Sequence, residues 1–286
     1  MRAPAKINLT LEVLARRSDG YHGIRSVIVP LELADELTIQ PSAAFAFECD
    51  RKELAGEGNL ALAALRAAFG TELPSVRMRL SKRIPVQAGL GGGSSDAAAV
   101  LRAAMAGAFG PAPRHDWMAV ARAIGSDVPF FLAGTAALVE GTGERVTPAG
   151  AIPPWHVLIV KPPAAVSTTE AYRELDRVER PSRARSGSVS IELLEALQRA
   201  EFERVQVLMQ NDFYDATVSR TPEVAAAVKA LLAAGAGRVL LAGSGSCVFT
   251  LAPDFAEIEA VVERLKLPGT FEIFVTRFAE TPEWRE

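Results

Sequence analysis

Gly89-Leu90-Gly91-Gly92-Gly93-Ser94-Ser95 runs into Asp96 and an alanine-rich stretch, residues 97–104. Side-chain-free backbone lets N–H groups converge on one point, and a helix starting directly behind adds partial positive charge, an arrangement suited to phosphate. A Walker A loop is excluded, because no Gly-Lys-Ser/Thr follows at the required spacing. A dinucleotide GxGxxG is disfavoured: Ser94 stands at the last position, and the preceding strand alternates Val76, Met78 and Leu80 with Arg77, Arg79 and Ser81. Such a strand is half exposed, whereas the dinucleotide fold wants one buried on both faces. A turn used for tight packing alone leaves so long a run of small residues unexplained. We expect a nucleotide phosphate cradle.

Working outward, residues 5–13 alternate strictly, with Ala5, Ile7, Leu9, Leu11 and Val13 on one face and Lys6, Asn8, Thr10 and Glu12 on the other. That is a half-buried strand. Asp19-Gly20 is a turn signal, and residues 24–33, 37–39, Phe45 and Phe47 have strand composition. Asn59 caps a helix running to about Phe69, with Gly70 as its stop. Beyond the glycine run come a short helix over 117–124, the segment Gly125-Ser126-Asp127-Val128-Pro129 and a strand over 134–140. The proline-flanked stretch 148–154 reads as a linker, so the domains are 1–153 and 154–286.

The second half reads as a strand (155–161), an irregular charged excursion (173–188) and two helical segments between 191 and 209. A helix (222–234) stopped by Gly235, strands 239–241 and 247–251, a helix (255–265) and a strand (271–278) follow. Without the middle insertion the order is βαββαβ, a ferredoxin-like arrangement within an α+β protein. A second glycine turn, Gly243-Ser244-Gly245-Ser246, joins two apolar strands and is a candidate second clamp.

A length of 286 residues allows one or two domains with proper cores. With 31 Lys plus Arg against 34 Asp plus Glu, the net charge of −3 offers no general attraction for nucleic acid or an anionic membrane. Cys49 and Cys247 stand far apart, outside any CxxC or Cys/His cluster, which disfavours a disulfide framework or structural zinc and suits a cytoplasmic setting. Arg2, Lys6 and Glu12 interrupt any secretory signal core, and the uncharged stretch 239–253 is shorter than a membrane span. Neither nucleic acid nor membrane is expected as a partner. A monomer or weak homodimer is.

Three motifs fall in the order of the GHMP kinase superfamily, which the chain resembles: Pro4-Ala5-Lys6-Ile7-Asn8-Leu9, residues 85–95, and Ala242-Gly243-Ser244-Gly245. Three more narrow the likeness: Arg16-Arg17-Ser18-Asp19-Gly20-Tyr21-His22, Gly125-Ser126-Asp127-Val128-Pro129-Phe130-Phe131 and Ser167-Thr168-Thr169-Glu170-Ala171-Tyr172. Together they resemble the 4-diphosphocytidyl-2-C-methyl-D-erythritol kinase family over nearly the whole chain. Gln87-Ala88, Ala242 and Phe213 depart from the pattern.

The resemblance implies a two-domain GHMP kinase fold, a ribosomal-S5-like N-terminal domain plus a ferredoxin-like C-terminal one. It implies ATP and magnesium, and phosphorylation of the 2-hydroxyl of a small-molecule substrate carrying a cytidine diphosphate moiety in the non-mevalonate isoprenoid pathway. Another GHMP small-alcohol kinase, a non-catalytic nucleotide-binding module and an RNA-binding S5-like protein are the alternatives, the last disfavoured by the acidic balance. Periodicity alone puts Lys6 on a solvent face and makes Asp127 a helix cap. The resemblance instead implies Asp127 as acceptor of the hydroxyl proton and Lys6 as stabiliser of charge on the oxygen and transferring phosphoryl.

For the nucleotide it implies Pro85, Val86, Gln87, Ala88, Gly89, Leu90, Gly91, Gly92, Gly93, Ser94 and Ser95, with Lys82, Asn59 and Leu60 near the adenine. Asn8 would orient substrate or Asp127. Tyr21 and Tyr172 offer flat rings to the cytidine base, His22 its edge, Thr168 a hydrogen bond, and Gly243, Ser244 and Gly245 a second clamp. Ser95 is the candidate magnesium ligand beside phosphate oxygens.

Overall fold

The computed structural model describes residues 1–18, 20–111, 113–177 and 188–279. Its spine is one long strand. β1 (Arg2–Asn8) and β2 (Thr10–Arg16) both lie antiparallel to β3 (His22–Pro41), which also pairs with β5 (Val76–Ser81) and β6 (Ala137–Gly141). β4 (Ala46–Cys49) runs parallel to β5, and β7 (Arg145–Pro148) closes a hairpin with β6. The expected break between residues 33 and 37 does not occur. Asp35 is fully buried there, and its Oδ1 accepts the Arg83 and Ile84 N–H groups at 2.6 and 2.9 Å, so the strand passes through the acid without stranding its charge.

Helices cover this sheet. α1 (Leu60–Phe69) begins where Asn59 Oδ1 accepts the Ala61 N–H at 2.8 Å and ends at Gly70, as its sequence predicts. α2 (Gly92–Met105) starts inside the glycine run and buries most of its circumference. Its alanines admit close packing between α1, β1 and the short helices α3 (Trp117–Ile124) and α4 (Val128–Ala133).

In the second half, β8 (His156–Lys161), β10 (Val239–Leu241), β11 (Val248–Ala252) and β12 (Glu272–Arg277) form an antiparallel sheet of order β10-β11-β8-β12. α9 (Pro222–Ala233) precedes β10, and α10 (Phe255–Arg264) links β11 to β12, so the ferredoxin-like βαββαβ arrangement is present. Alternation divides β8 between two cores. Leu158 and Val160 pack with α9 and α10, while Val157 and Ile159 turn toward β1 and β3.

The segment read as an irregular charged excursion begins instead as helix α5 (Thr168–Arg177); residues 178–187, like Asp19 of the predicted turn, lie outside the described residues. α6 (Val189–Gln198) and α7 (Phe202–Leu208) match the two expected helical segments. β9 (Gln210–Asn211) and α8 (Tyr214–Arg220) have no counterpart in the sequence reading, and β9 pairs in parallel with β2.

One hydrophobic cluster runs through both halves, uniting Ile7, Leu9 and Val29 with Trp155, Ile159, Leu197 and Phe249. With that cluster, to which α6 contributes Leu193 and Leu197, on one side and α2 on the other, β1 is buried on both faces, which corrects the half-exposed strand of the sequence reading. No helix among the described residues is long and apolar enough to cross a membrane.

Candidate active site

Lys6 is the first consequence of that burial. It is 4% exposed and not on a solvent face. Its Nζ donates to Asn8 Oδ1 at 2.7 Å and lies 3.7 Å from Asp127 Oδ2. Asp127 stands at the N-cap position of α4 but makes no side-chain cap, so its carboxylate, about one-third exposed, remains directed at the lysine. A partly exposed carboxylate and a buried lysine amine thus converge on one point at the edge of solvent.

The glycine loop is registered directly above. The Lys6 N–H donates to the Leu90 carbonyl at 3.0 Å, and Gly91, at φ 73°, begins α2 in the left-handed region. A Cβ at Gly91 would lie 2.8 Å from the Phe131 ring and 3.1 Å from Lys6 Cγ, so only glycine lets the loop cross the lysine. At Gly89 the constraint is backbone against backbone. A Cβ there would stand 1.8 Å from the Ala242 carbonyl oxygen, which means that the two glycine turns touch. Asn211 holds the second turn by donating to the Leu241 and Gly243 carbonyls at 2.8 and 2.7 Å. A Cβ at Gly243 would sit 3.4 Å from Lys6 Nζ, and the Ser244 and Thr168 hydroxyls lie 2.9 Å apart.

A cleft of about 500 Å³ opens beside the loop, lined by Asn59, Leu60, Lys82, residues 85–94, Asp96 and Thr168. Ser95 does not line it. The serine is buried beneath, and its Oγ has no hydrogen-bond partner; neither has Asp96 Oδ1. Lys82 is engaged by two buried carboxylates, pairing with Asp35 Oδ2 and donating to Asp96 Oδ2 at 2.5 Å. The expected adenine-side lysine therefore lines the cleft with its charge already matched. Burial pulls the Lys82 ammonium down, but the charges of Asp96 and Asp35 outweigh it and hold it above its ordinary value. Burial pushes the Asp96 carboxyl up to about 8, against the pull of Lys82 and with the repulsion of Asp35.

Family comparison completes this picture. The family model for the GHMP kinases N terminal domain matches residues 56–135, and that for GHMP kinases C terminal matches residues 193–269. The chain is 42% identical to the 4-diphosphocytidyl-2-C-methyl-D-erythritol kinase of Deinococcus radiodurans, over 93% of this chain and 89% of the relative. The corresponding kinase of Pelotomaculum thermopropionicum is 40% identical over 96% of each. The chain belongs to the 4-diphosphocytidyl-2-C-methyl-D-erythritol kinase family of GHMP kinases. A solved structure of a 4-(cytidine 5'-diphospho)-2C-methyl-D-erythritol kinase superposes with a TM-score of 0.76 at 36% identity, covering 98% of this chain and 99% of that one. The L. major mevalonate kinase, at 15% identity and a TM-score of 0.69, shares the fold, covering 99% and 96%.

Further along the site of this GHMP kinase, two of the residues expected at the cytidine end are brought together: His22 and Tyr172 are stacked, with centroids 5.4 Å apart and planes inclined by 16°. Asp176 Oδ1 reaches His22 Nε2 at 3.0 Å, which with the stacked rings holds α5 against the start of β3, and Phe213, just ahead of α8, meets Tyr172 edge-on at 4.9 Å. Tyr21 precedes them, 68% exposed.

Sequence reasoning missed Asp176, although Thr168, Tyr172 and Asp176 follow one another at the four-residue spacing of a single helix face. It also missed Asp35, an acid inside an apolar strand run, and Asn211, which precedes an already noted departure at Phe213. Among the described residues no group of three or more His, Cys, Asp or Glu side chains could hold a metal ion.

Proposed function

We propose that this chain transfers the γ-phosphoryl group of ATP to the 2-hydroxyl of 4-diphosphocytidyl-2-C-methyl-D-erythritol, a step of non-mevalonate isoprenoid precursor synthesis. The observation that carries the reading is the pair of Lys6 Nζ and Asp127 Oδ2, 3.7 Å apart beneath a glycine loop that opens a helix. The relatives named above supply the substrate.

In this reading the cleft along residues 85–94 receives the nucleotide, with converging N–H groups and the N-terminus of α2 facing its phosphates. Asp127 takes the hydroxyl proton as the substrate oxygen bonds to the γ-phosphorus and the bond to the ADP oxygen breaks. Lys6 offsets negative charge on the attacking oxygen and the transferring group. Asn8 acts by holding Lys6. Tyr21, His22 and Tyr172 receive the cytidine end, and Thr168 with Ser244 joins the second glycine turn to α5. Magnesium would neutralise phosphate charge; the unpartnered Ser95 Oγ and Asp96 Oδ1 are oxygen donors of the kind it takes. The domains 1–153 and 154–286 contribute jointly, the first Lys6, Asp127 and the loop, the second the Gly243 turn and α5.

The test is ADP release by purified protein with ATP and the cytidyl methylerythritol substrate, with an analogue lacking the cytidyl group as control. Turnover that needs the cytidyl group supports the reading. Preference for another alcohol reassigns the substrate within the superfamily, and no ADP release with any alcohol overturns the kinase reading.

A further inference from the structure

Beneath Lys6 and Asn8 lies a polar side chain that the mechanism above does not use. Ser26 is fully buried in β3, and its Oγ donates its single proton to the Thr10 carbonyl at 2.5 Å. Its oxygen can then only accept, and what it accepts is Asn8 Nδ2–H at 2.8 Å. We propose that Ser26 is a positioning residue for Lys6, acting through the Asn8 amide.

The argument turns on which way that amide faces. With Nδ2 on Ser26, Oδ1 must face the Lys6 ammonium, where it accepts at 2.7 Å. The flipped amide would set two donors, Asn8 Nδ2 and Lys6 Nζ, against each other at the same separation. It would also turn Oδ1 toward an oxygen with no proton to give, and buried polar groups left unsatisfied on both sides make that orientation costly. Ser26 thus sets the amide, and the amide sets the ammonium that faces Asp127.

The carbonyl that commits the serine proton is itself anchored. Thr10 Oγ1 accepts the Val27 N–H at 2.9 Å and lies 2.7 Å from Ser190 Oγ. Ser190 Oγ in turn donates to Glu12 Oε2 at 2.6 Å, joined there by Ser188 Oγ at 2.8 Å. The start of α6 therefore clamps the β2 segment on which Ser26 depends.

The inference rests on the role given to Lys6 under the proposed function, and a double-mutant cycle separates the two. Turnover and KM for ATP and the alcohol are measured for the full-length wild type, Ser26→Ala, Asn8→Ala, the double variant and Lys6→Met, with a melting temperature for each. Ser26→Ala should lower kcat about tenfold while KM for ATP changes less than about twofold, and it should cost nothing further in the Asn8→Ala background. Ser26→Cys, which keeps the shape and weakens the hydrogen bonds, should lose kcat similarly and carries the test if the alanine variant does not fold. Unchanged kcat in a folded Ser26 variant overturns the proposal, as does an equal loss with or without Asn8, the mark of a merely structural role. Wild-type kcat in Lys6→Met overturns the role of Lys6 itself and this proposal with it.

Discussion

The Lys6 ammonium sits between Asn8 Oδ1 at 2.7 Å and Asp127 Oδ2 at 3.7 Å, hydrogen-bonded to the first and at ion-pair distance from the second. In the proposed mechanism Asp127 uses its carboxylate to take the proton of the substrate hydroxyl. Replacing Asp127 by Asn keeps the shape and removes the proton acceptor, so kcat should fall by about a hundredfold or more. Affinity for ADP, measured by calorimetry, should stay within about twofold, and substantial residual turnover would remove Asp127 from the base role. Gly89 is a constraint of another kind. Its added Cβ would meet the Ala242 carbonyl at 1.8 Å, and a backbone atom cannot rotate away. Gly89→Ala should therefore separate the two glycine turns, raising KM for ATP about tenfold or more. A left-handed φ of 78° costs a further ~1 kcal/mol or more for a residue with a side chain. A melting temperature and KM equal to wild type would show that the turns do not need this contact.

Helix α2 is tied to the sheet by a buried charge cluster, with Asp96 from the helix, Lys82 following β5 and Asp35 from β3. Two carboxylates around one ammonium leave an excess negative charge in a dry place, and the raised Asp96 carboxyl, at about 8 instead of 3.8, is the relief. The folded chain then holds a proton that the unfolded chain has released, so this contribution to stability is full below pH 3.8. It declines as pH rises and is lost above about 8. The urea midpoint of the nucleotide-free enzyme should be lower at pH 9 than at pH 6, and Asp96→Asn should flatten that slope; an equal slope in the variant would assign it elsewhere. For α5 the corresponding expectation is catalytic. Asp176, paired with His22 at 3.0 Å, fastens this helix to β3, so Asp176→Ala should raise KM for the cytidyl substrate severalfold while kcat and KM for ATP stay close to wild type. A change confined to KM for ATP would place α5 at the nucleotide end instead.

Across the whole molecule the two halves of the chain share one core. Trp155, at the proposed boundary, packs edge-on against Phe202 at 4.9 Å and lies 6.2 Å from Phe278, in the same cluster as Ile7 and Leu9. Urea unfolding should accordingly be one transition, with tryptophan fluorescence and circular dichroism at coincident midpoints, and Trp155→Ala should cost about 3–5 kcal/mol. Two resolved transitions would mean that the halves fold independently. What the sequence by itself determined depends on neighbours along the chain: the Asn59 and Gly70 ends of α1, the alternation of β5, the span of α3, the βαββαβ order of the second half and the glycine run before α2. Caps, period and backbone freedom act within a few residues and are written locally. Only the tertiary structure decided that the polar face of β1 is buried, that Lys82 is matched by Asp35, that Asp127 faces a lysine instead of capping its helix, and that Ser26 and Asp176 stand behind Asn8 and His22. Each of these depends on what a distant element places opposite the side chain. Alternation shows only that two faces differ, and it takes the packing of α2, α6 and the second sheet to bury both.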